Sequence, residues 1–330
     1  MIRPNSAIPT AIPAGIAVVL LWASAFPAIR VAVPDLGAVG LSFARLVVAT
    51  LVLLMVAVAT KARIPRRRDL GWIIGCGFFG MTAYQVLLNE AEVHVPAGTA
   101  SIIVAAAPLV SVAVARLLFA EPVTVFVVVG SAIALTGVVV VCVARTGASL
   151  SAAVWLAVGA MVVQGIYHPL QRPLLRTYTG LEVATYAMVA GTIMTVPIAP
   201  FGWSDLADAT WSGWLGAVYL GVLPSALGFV LWGYTTSRLP VAVSTSLLYL
   251  VPPAAVLIAW LWLGEIPTTT ELVGGLVVVA GVLTVSQGRA VTAWLESPSL
   301  RRVAPPNQLR SVTATAGRDS GQQRLHSKNS

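Results

Sequence analysis

The residues of this 330-residue chain that could do chemistry are polar side chains set within apolar runs. A polar group facing lipid is costly, so such residues belong inside a helix bundle or against a water-filled path. On a helix, positions i, i+3, i+4 and i+7 share a face. Trp22, Phe26 and Arg30 fit one such stripe, and a shift of 142 positions carries them onto Gln164, His168 and Arg172. Met81, Gln85, Leu88 and Glu92 fit a second, and a shift of 144 carries the first three onto Ser225, Phe229 and Trp232. These four segments give a candidate lining for a cavity that holds a small solute. Ser24, Tyr84 and Asn89 add polar groups on the first and third of them, with Ser101 and Tyr249 as secondary contributors. The competing reading is that these residues join helices through hydrogen bonds and aromatic packing.

Charged residues are the sharper signal. Arg30 and Arg45 fall toward the same end of their apolar runs as Glu90 and Glu92, giving an expected cluster of two cations and two carboxylates. That cluster could hold a zwitterion, close as a gate of ion pairs, or let a glutamate carry a coupling proton if desolvation favours its neutral form. The structural alternative is that each charge reaches the headgroup region. His168, beside Pro169, suits either a proton relay or a satisfied core position. Glu121 and Glu265 read as structural: Glu121-Pro122 has the form of a helix N-cap followed by proline at the first helical position. Glu265 precedes Pro267 in a similar turn, and Pro108 and Pro252 bend their helices.

Other chemistries lack their residues. Cys76 and Cys142 both lie inside apolar runs, without the spacing of a zinc or redox motif. The two lysines, Lys61 and Lys328, sit in no phosphate-binding loop. No GxSxG elbow is present. The sequence calls for no cofactor and no metal.

The elements that must position these groups follow from composition. The chain is 58% hydrophobic and 10% charged, too little charge to solvate a globular surface. Its apolar runs are about 20 residues long, enough to cross a bilayer. They predict an all-α integral membrane protein of ten transmembrane helices near 14–33, 39–60, 70–91, 97–119, 123–144, 151–170, 182–201, 212–235, 241–263 and 270–287. A net charge of +8 then reads as membrane topology and not as nucleic-acid binding. Lys61, Arg63, Arg66, Arg67 and Arg68 place the link between spans two and three in the cytoplasm. Alternation puts Arg3, Arg172, Arg176, Arg238 and the basic tail on that side too, so both termini are expected to be cytoplasmic.

The chain also repeats. Pro96 to Arg145 falls on Pro240 to Arg289 after a shift of 144, without a gap. Pro108 meets Pro252, Glu121 meets Glu265, Gly130 meets Gly274 and Gly137 meets Gly281. Those glycines read as packing sites, within the bundle or between the protomers of a homodimer. The expected division is 1–13 cytoplasmic segment, 14–144 first five-helix repeat, 151–288 second repeat and 289–330 disordered basic cytoplasmic tail. Five is odd, so the second repeat enters the membrane inverted, the architecture of carriers that exchange inward-open and outward-open states.

Trp22-x-Ser24-x-Phe26, Phe43-Ala44-Arg45-Leu46, and a proline followed thirteen residues later by glutamate in spans four and nine resemble the EamA family of the drug/metabolite transporter superfamily. The resemblance covers about 14–288. It implies a secondary transporter of the cytoplasmic membrane, exporting amino acids or related metabolites, or drugs, through a central cavity between the halves. An efflux transporter for aromatic compounds and a passive facilitator are the alternatives. Two features depart from a strict duplication: Arg45 aligns with Ala187, and Gln164 stands where span one has Trp22.

Overall fold

A computed structural model describes residues 8–120, 125–146, 152–238 and 247–295. Glu121, Pro240, residues 1–7 and the tail from 296 lie outside them. The described residues are helical, with no strand among them. The helices are α1 (Ile8–Ala59), α2 (Leu70–Cys76), α3 (Tyr84–His94), α4 (Ala97–Val104), α5 (Ala107–Phe119), α6 (Val125–Thr146), α7 (Ala152–Leu170), α8 (Arg172–Leu175), α9 (Gly180–Thr195), α10 (Trp203–Asp208), α11 (Trp211–Leu220), α12 (Gly228–Arg238), α13 (Val251–Leu263) and α14 (Thr269–Leu295).

Five stretches are long and apolar enough to cross a bilayer: Thr10–Ala59, Arg67–His94, Ala97–Phe119, Ala152–Leu175 and Trp211–Arg238. Gly180–Thr195 with Ala199–Asp208, bent by 77°, is a sixth if counted as one span. Val125–Val141, Leu248–Leu263 and Thr269–Gly281 are shorter. The 52 residues of α1 would extend about 78 Å as one rod, more than twice the thickness of hydrocarbon. Gly37 interrupts it with φ 63° and ψ 164°, a conformation that a side chain would strain. The first two expected spans are the two arms of this helix. The outermost helices overrun their expected ends. Pro9 is tolerated in the first turn of α1, and no proline stops α14 before Leu295.

Polar contacts pin the corners at both ends of the bundle. At the Gly37 end, Asp35 Oδ2 accepts from Thr210 N at 3.0 Å and Thr210 Oγ1 at 2.6 Å. At the other end, Arg63 donates to Glu182 from its backbone N at 2.8 Å, Nε at 2.9 Å and a terminal nitrogen at 2.7 Å. Glu182 and Thr179 also form a capping box that starts α9. This carboxylate holds the Arg63 guanidinium above its ordinary pKa. Tyr186 donates to the Arg63 carbonyl, and Tyr178 bridges Arg66 N and Asp69.

The sequence repeat has a structural echo. The π-helical turn Gly77–Ala83 recurs as Gly221–Leu227, α5 recurs as α13, and the starts of α6 and α14 correspond, all at a shift of 144. Ala120 and Gly264, at the same shift, both end their helices in the left-handed region, with φ 53° and 68°. α6 and α14 pack on one another along the repeated glycines. A Cβ at Gly137 would lie 2.6 Å from Val278 N and 2.7 Å from the Gly274 carbonyl, and one at Gly281 would lie 2.6 Å from the Gly130 carbonyl. The glycines therefore serve a seam inside the bundle.

Gly137→Leu should lower stability by about 1–3 kcal/mol, as overpacking does elsewhere, read as a reduced unfolding temperature of purified protein. Gly71→Ala, at a helical site with nothing within 4 Å, should not lower it and should raise it slightly.

Candidate functional site

Two helix breaks shape the centre of the molecule. α4 ends at Val104, a turn follows at 105–106, and α5 restarts with Pro108 in its first turn. In the second half the 3-10 turn Leu248–Leu250 precedes α13, which has Pro252 in its first turn. Proline lacks an N–H, so a first turn accepts it where a helix interior does not. Both restarts line one cavity of about 80 Å³.

The cavity wall collects most of the residues singled out from sequence. Trp22 and Phe26 come from the first arm of α1, Arg45 from the second, Tyr84 and Gln85 from α3, Ser101 from α4, Gln164 and His168 from α7, and Phe229 from α12. Pro108 and Pro252, expected only to bend helices, also face it. Arg45 is 3% exposed, Gln85 1% and Gln164 6%, so these groups belong to the interior. Arg45 donates to Ser225 Oγ at 3.1 Å. Its Nε and its other terminal nitrogen, with Gln85 Oε1 and Gln164 Oε1, have no hydrogen-bond partner among the described residues. A buried polar atom left unsatisfied costs about 1–3 kcal/mol. Several such atoms gather around this one cavity.

Aromatic rings from both halves form one side of the site. Trp22 packs against Phe229 at 5.3 Å and Trp232 at 5.6 Å, and His168 lies edge-on to Trp232 at 6.0 Å. Trp22 Nε1 donates to the Pro224 carbonyl at 3.1 Å, within the second π-helical turn. Beyond these rings is a second cavity of about 380 Å³, with Ser111, Gln171, Arg172, Arg176, Trp232 and Ser237 in its wall. It shares Pro108, His168 and Leu248 with the central cavity. His168 therefore stands between the two chambers.

The opposite end is fastened by Arg30 and Glu265. A terminal nitrogen of Arg30 donates to the Glu92 and Val93 carbonyls at 2.5 and 2.6 Å, and Nε is 3.7 Å from Glu265 Oε1. Glu265 Oε2 accepts from Ala97 N at 3.0 Å. It thus caps α4 across the halves, where sequence placed it in the turn before its own helix. The N-cap of α14 is Thr268, in a capping box with Glu271. Thr268-x-x-Glu271 has the sequence form of a capping box, a signal the sequence reading passed over, whereas nothing local to Glu265 points to Ala97.

The expected four-charge cluster assembles in part: Arg30, Arg45 and Glu92 lie near enough to interact through their charges, with Glu265 among them and Glu90 apart. Arg45 turns into the central cavity and Arg30 to main-chain carbonyls. Glu90 is exposed while Glu92 is buried, because residues two apart on a helix point to different faces. Both carboxylate oxygens of Glu92 have no hydrogen-bond partner among the described residues. Several expected lining residues lie elsewhere. Ser24 bonds the Tyr219 hydroxyl at 2.6 Å, and Asn89 donates to Ser42 at 2.8 Å, so both join helices. Trp232 faces the second cavity, and Tyr249 is buried next to the central wall without entering it. Their helical spacing was right for an inward face, but an inward face also meets neighbouring helices.

Comparison with known proteins places this geometry in context. The EamA-like transporter family matches residues 9–143 and again 151–287. A protein of Streptantibioticus cattleyicolor described as a "probable terminal-alkyne amino-acid exporter" is 50% identical, over 82% of this chain and 91% of its own. The uncharacterized transporter YdfC of Bacillus subtilis is 35% identical, over 79% and 86%. A solved crystal structure at 20% identity covers 84% of this chain and 97% of its own with a TM-score of 0.60, a likeness of fold.

A Cβ at Gly228 would lie 2.7 Å from Trp22 Nε1. Gly228→Ala should break the indole's bond to Pro224 and lower stability by about 1 kcal/mol. Thermal unfolding followed by tryptophan fluorescence checks this.

Proposed function

The chain belongs to the EamA-like transporter family, and from that premise we propose that it is a secondary active exporter of amino acids or related small metabolites. It is a multi-pass membrane protein. In the proposed topology ten spans form two inverted five-helix repeats in the cytoplasmic membrane, with both termini inside. The recurrence of π-turns, helix restarts and left-handed ends at one shift supports the duplication. The observation that carries the reading is the central cavity. Both halves build it, unsatisfied polar groups line it, and it is fastened at one end and adjoins a second chamber at the other.

In this reading the Arg30–Glu265 contact closes the outer end, and the chamber bearing Arg172 and Arg176 faces the cytoplasm. A solute enters from that chamber past His168 and occupies the central cavity. The halves then rock, the outer contact opens and the inner path closes. Glu92 is the proposed coupling group. A buried carboxyl without donors is tolerated in its neutral form, so a proton taken up from outside as the solute leaves would be released inside when the carrier returns and the next solute binds. The relative's described cargo, a terminal-alkyne amino acid, supports a small amino acid as the solute. Arg45 in the wall disfavours the cationic solutes of many multidrug exporters.

Proteoliposomes loaded with L-propargylglycine should release it, faster when the outside is made acidic. Glu92→Gln should retain exchange of solute across the membrane but lose the response to pH. Absence of any flux sinks the exporter, and a flux indifferent to pH leaves a facilitator. Side-specific labelling should find the C-terminus and the 61–69 link on one face; opposite faces would overturn the inverted topology.

A further inference from the structure

We infer that Arg45, Gln85 and Gln164 form a zwitterion site, in which Arg45 takes the α-carboxylate of a small amino acid and the two glutamine carbonyls take its α-ammonium. The inference rests on the exporter reading and says how the central cavity chooses its cargo. Each of the three side chains is more than nine-tenths buried, and each lines the same cavity. Each carries polar atoms without a partner among the described residues. The orphan atoms are of complementary kinds. Arg45 offers two donor nitrogens on a planar cation, the geometry that suits a carboxylate. Gln85 and Gln164 offer acceptors, which a carboxylate cannot use and an ammonium can.

The surroundings agree with that polarity. The restarts of α5 and α13 bring two helix N-termini to the wall, at Ala107–Pro108 and Val251–Pro252. Helix N-termini favour negative charge, and broken helices in carriers are a known way to present them. Ser225 holds one nitrogen of Arg45 and so fixes the guanidinium while leaving its other donors for the ligand. Trp22 and Phe229 line the same wall, and aromatic rings suit an ammonium. The remaining wall, including Ile29, Leu88 and Val251, is apolar. At about 80 Å³ the whole cavity is small, which favours a short uncharged side chain over a long one. The two acceptors come from different halves, Gln85 on α3 and Gln164 on α7, so an ammonium bound to both would report closure of the halves around the solute.

The test uses proteoliposomes of the full chain that take up labelled L-propargylglycine by counterflow. The unlabelled competitors are the same amino acid, its amide and its N-acetyl derivative. The free amino acid should compete, and each derivative should compete at least about tenfold less well, since a site built for a polar group rejects the analogue that lacks it. Arg45→Gln should erase the preference for acid over amide, with Arg45→Lys restoring part of it. Gln85→Leu and Gln164→Leu should erase the preference over the N-acetyl derivative. Undiminished competition by the amide or the N-acetyl compound in the parent protein overturns the site while leaving an exporter. No counterflow of any amino acid overturns the exporter reading and this site with it.

Discussion

Inside a bilayer every polar group must find its partner within the protein or beside trapped water. That constraint explains where this chain is regular and where it is not. At the corners it is met in full. Thr179 and Glu182 satisfy the first turn of α9, Thr268 and Glu271 do the same for α14, and Glu265 covers the start of α4. Ser24, Ser42, Asn89 and Thr192 join helices within the bundle. Among the described residues the unpartnered buried atoms include Asn89 Oδ1, Thr235 Oγ1 and Trp232 Nε1 as well, but those of Arg45, Gln85 and Gln164 gather around one cavity. In the proposed reading these three are left for the solute.

The same constraint governs how the helices can be interrupted. A break within a membrane helix frees main-chain groups, which is tolerable only where other protein groups or a cavity receive them. Here the interruptions come in pairs at one shift: two π-turns and two proline restarts. The second π-turn leaves the Pro224 carbonyl to Trp22, and both restarts open on the central cavity. Duplication thus supplies two half-helix ends from a single evolved feature. It also brings equivalent helices together, since α6 and α14 meet through equivalent glycines. A close main-chain seam has little slack for sliding. In the proposed cycle it acts as a hinge line while contacts elsewhere exchange.

How much of this was legible in the sequence depends on the kind of question. Apolar runs gave the helices, and spacing gave the inward faces of the segments bearing Trp22, Gln85, Gln164 and Phe229. The cavity wall contains all four. Register of proline and glycine gave the repeat. Spacing could not name partners. Ser24 and Asn89 point inward as expected, yet they meet Tyr219 and Ser42. Glu265 caps a helix more than 160 residues away in the chain, and nothing in its local sequence records that. Arg30 and Arg45 looked alike, but one lies among main-chain carbonyls and the other beside the cavity. Pro108 and Pro252 read as bends because a proline's effect on its own helix is local, whereas its exposure to a cavity is a tertiary fact.

In the proposed cycle the Arg30–Glu265 fastening is the outer gate, and its chemistry fits a gate that has to open. A rigid carrier end could be made from buried, well-packed contacts, but each would have to be broken in every cycle. Arg30 and Glu265 instead keep side-chain exposures of 32% and 21%, and their charged atoms approach only to 3.7 Å. A pair so placed contributes about 0–1 kcal/mol. Arg30's bonds to the Glu92 and Val93 carbonyls lie near enough to solvent for water to replace them. In the proposed cycle, then, this end closes by many exchangeable hydrogen bonds and not by one strong pair. The deep group beside it, Glu92, differs in kind. Its backbone carbonyl holds Arg30, the closing arginine of the proposed cycle, while its buried side chain has no donor among the described residues. One residue therefore links the fastening to the proposed proton site, so a change at either can be felt at the other without a longer relay.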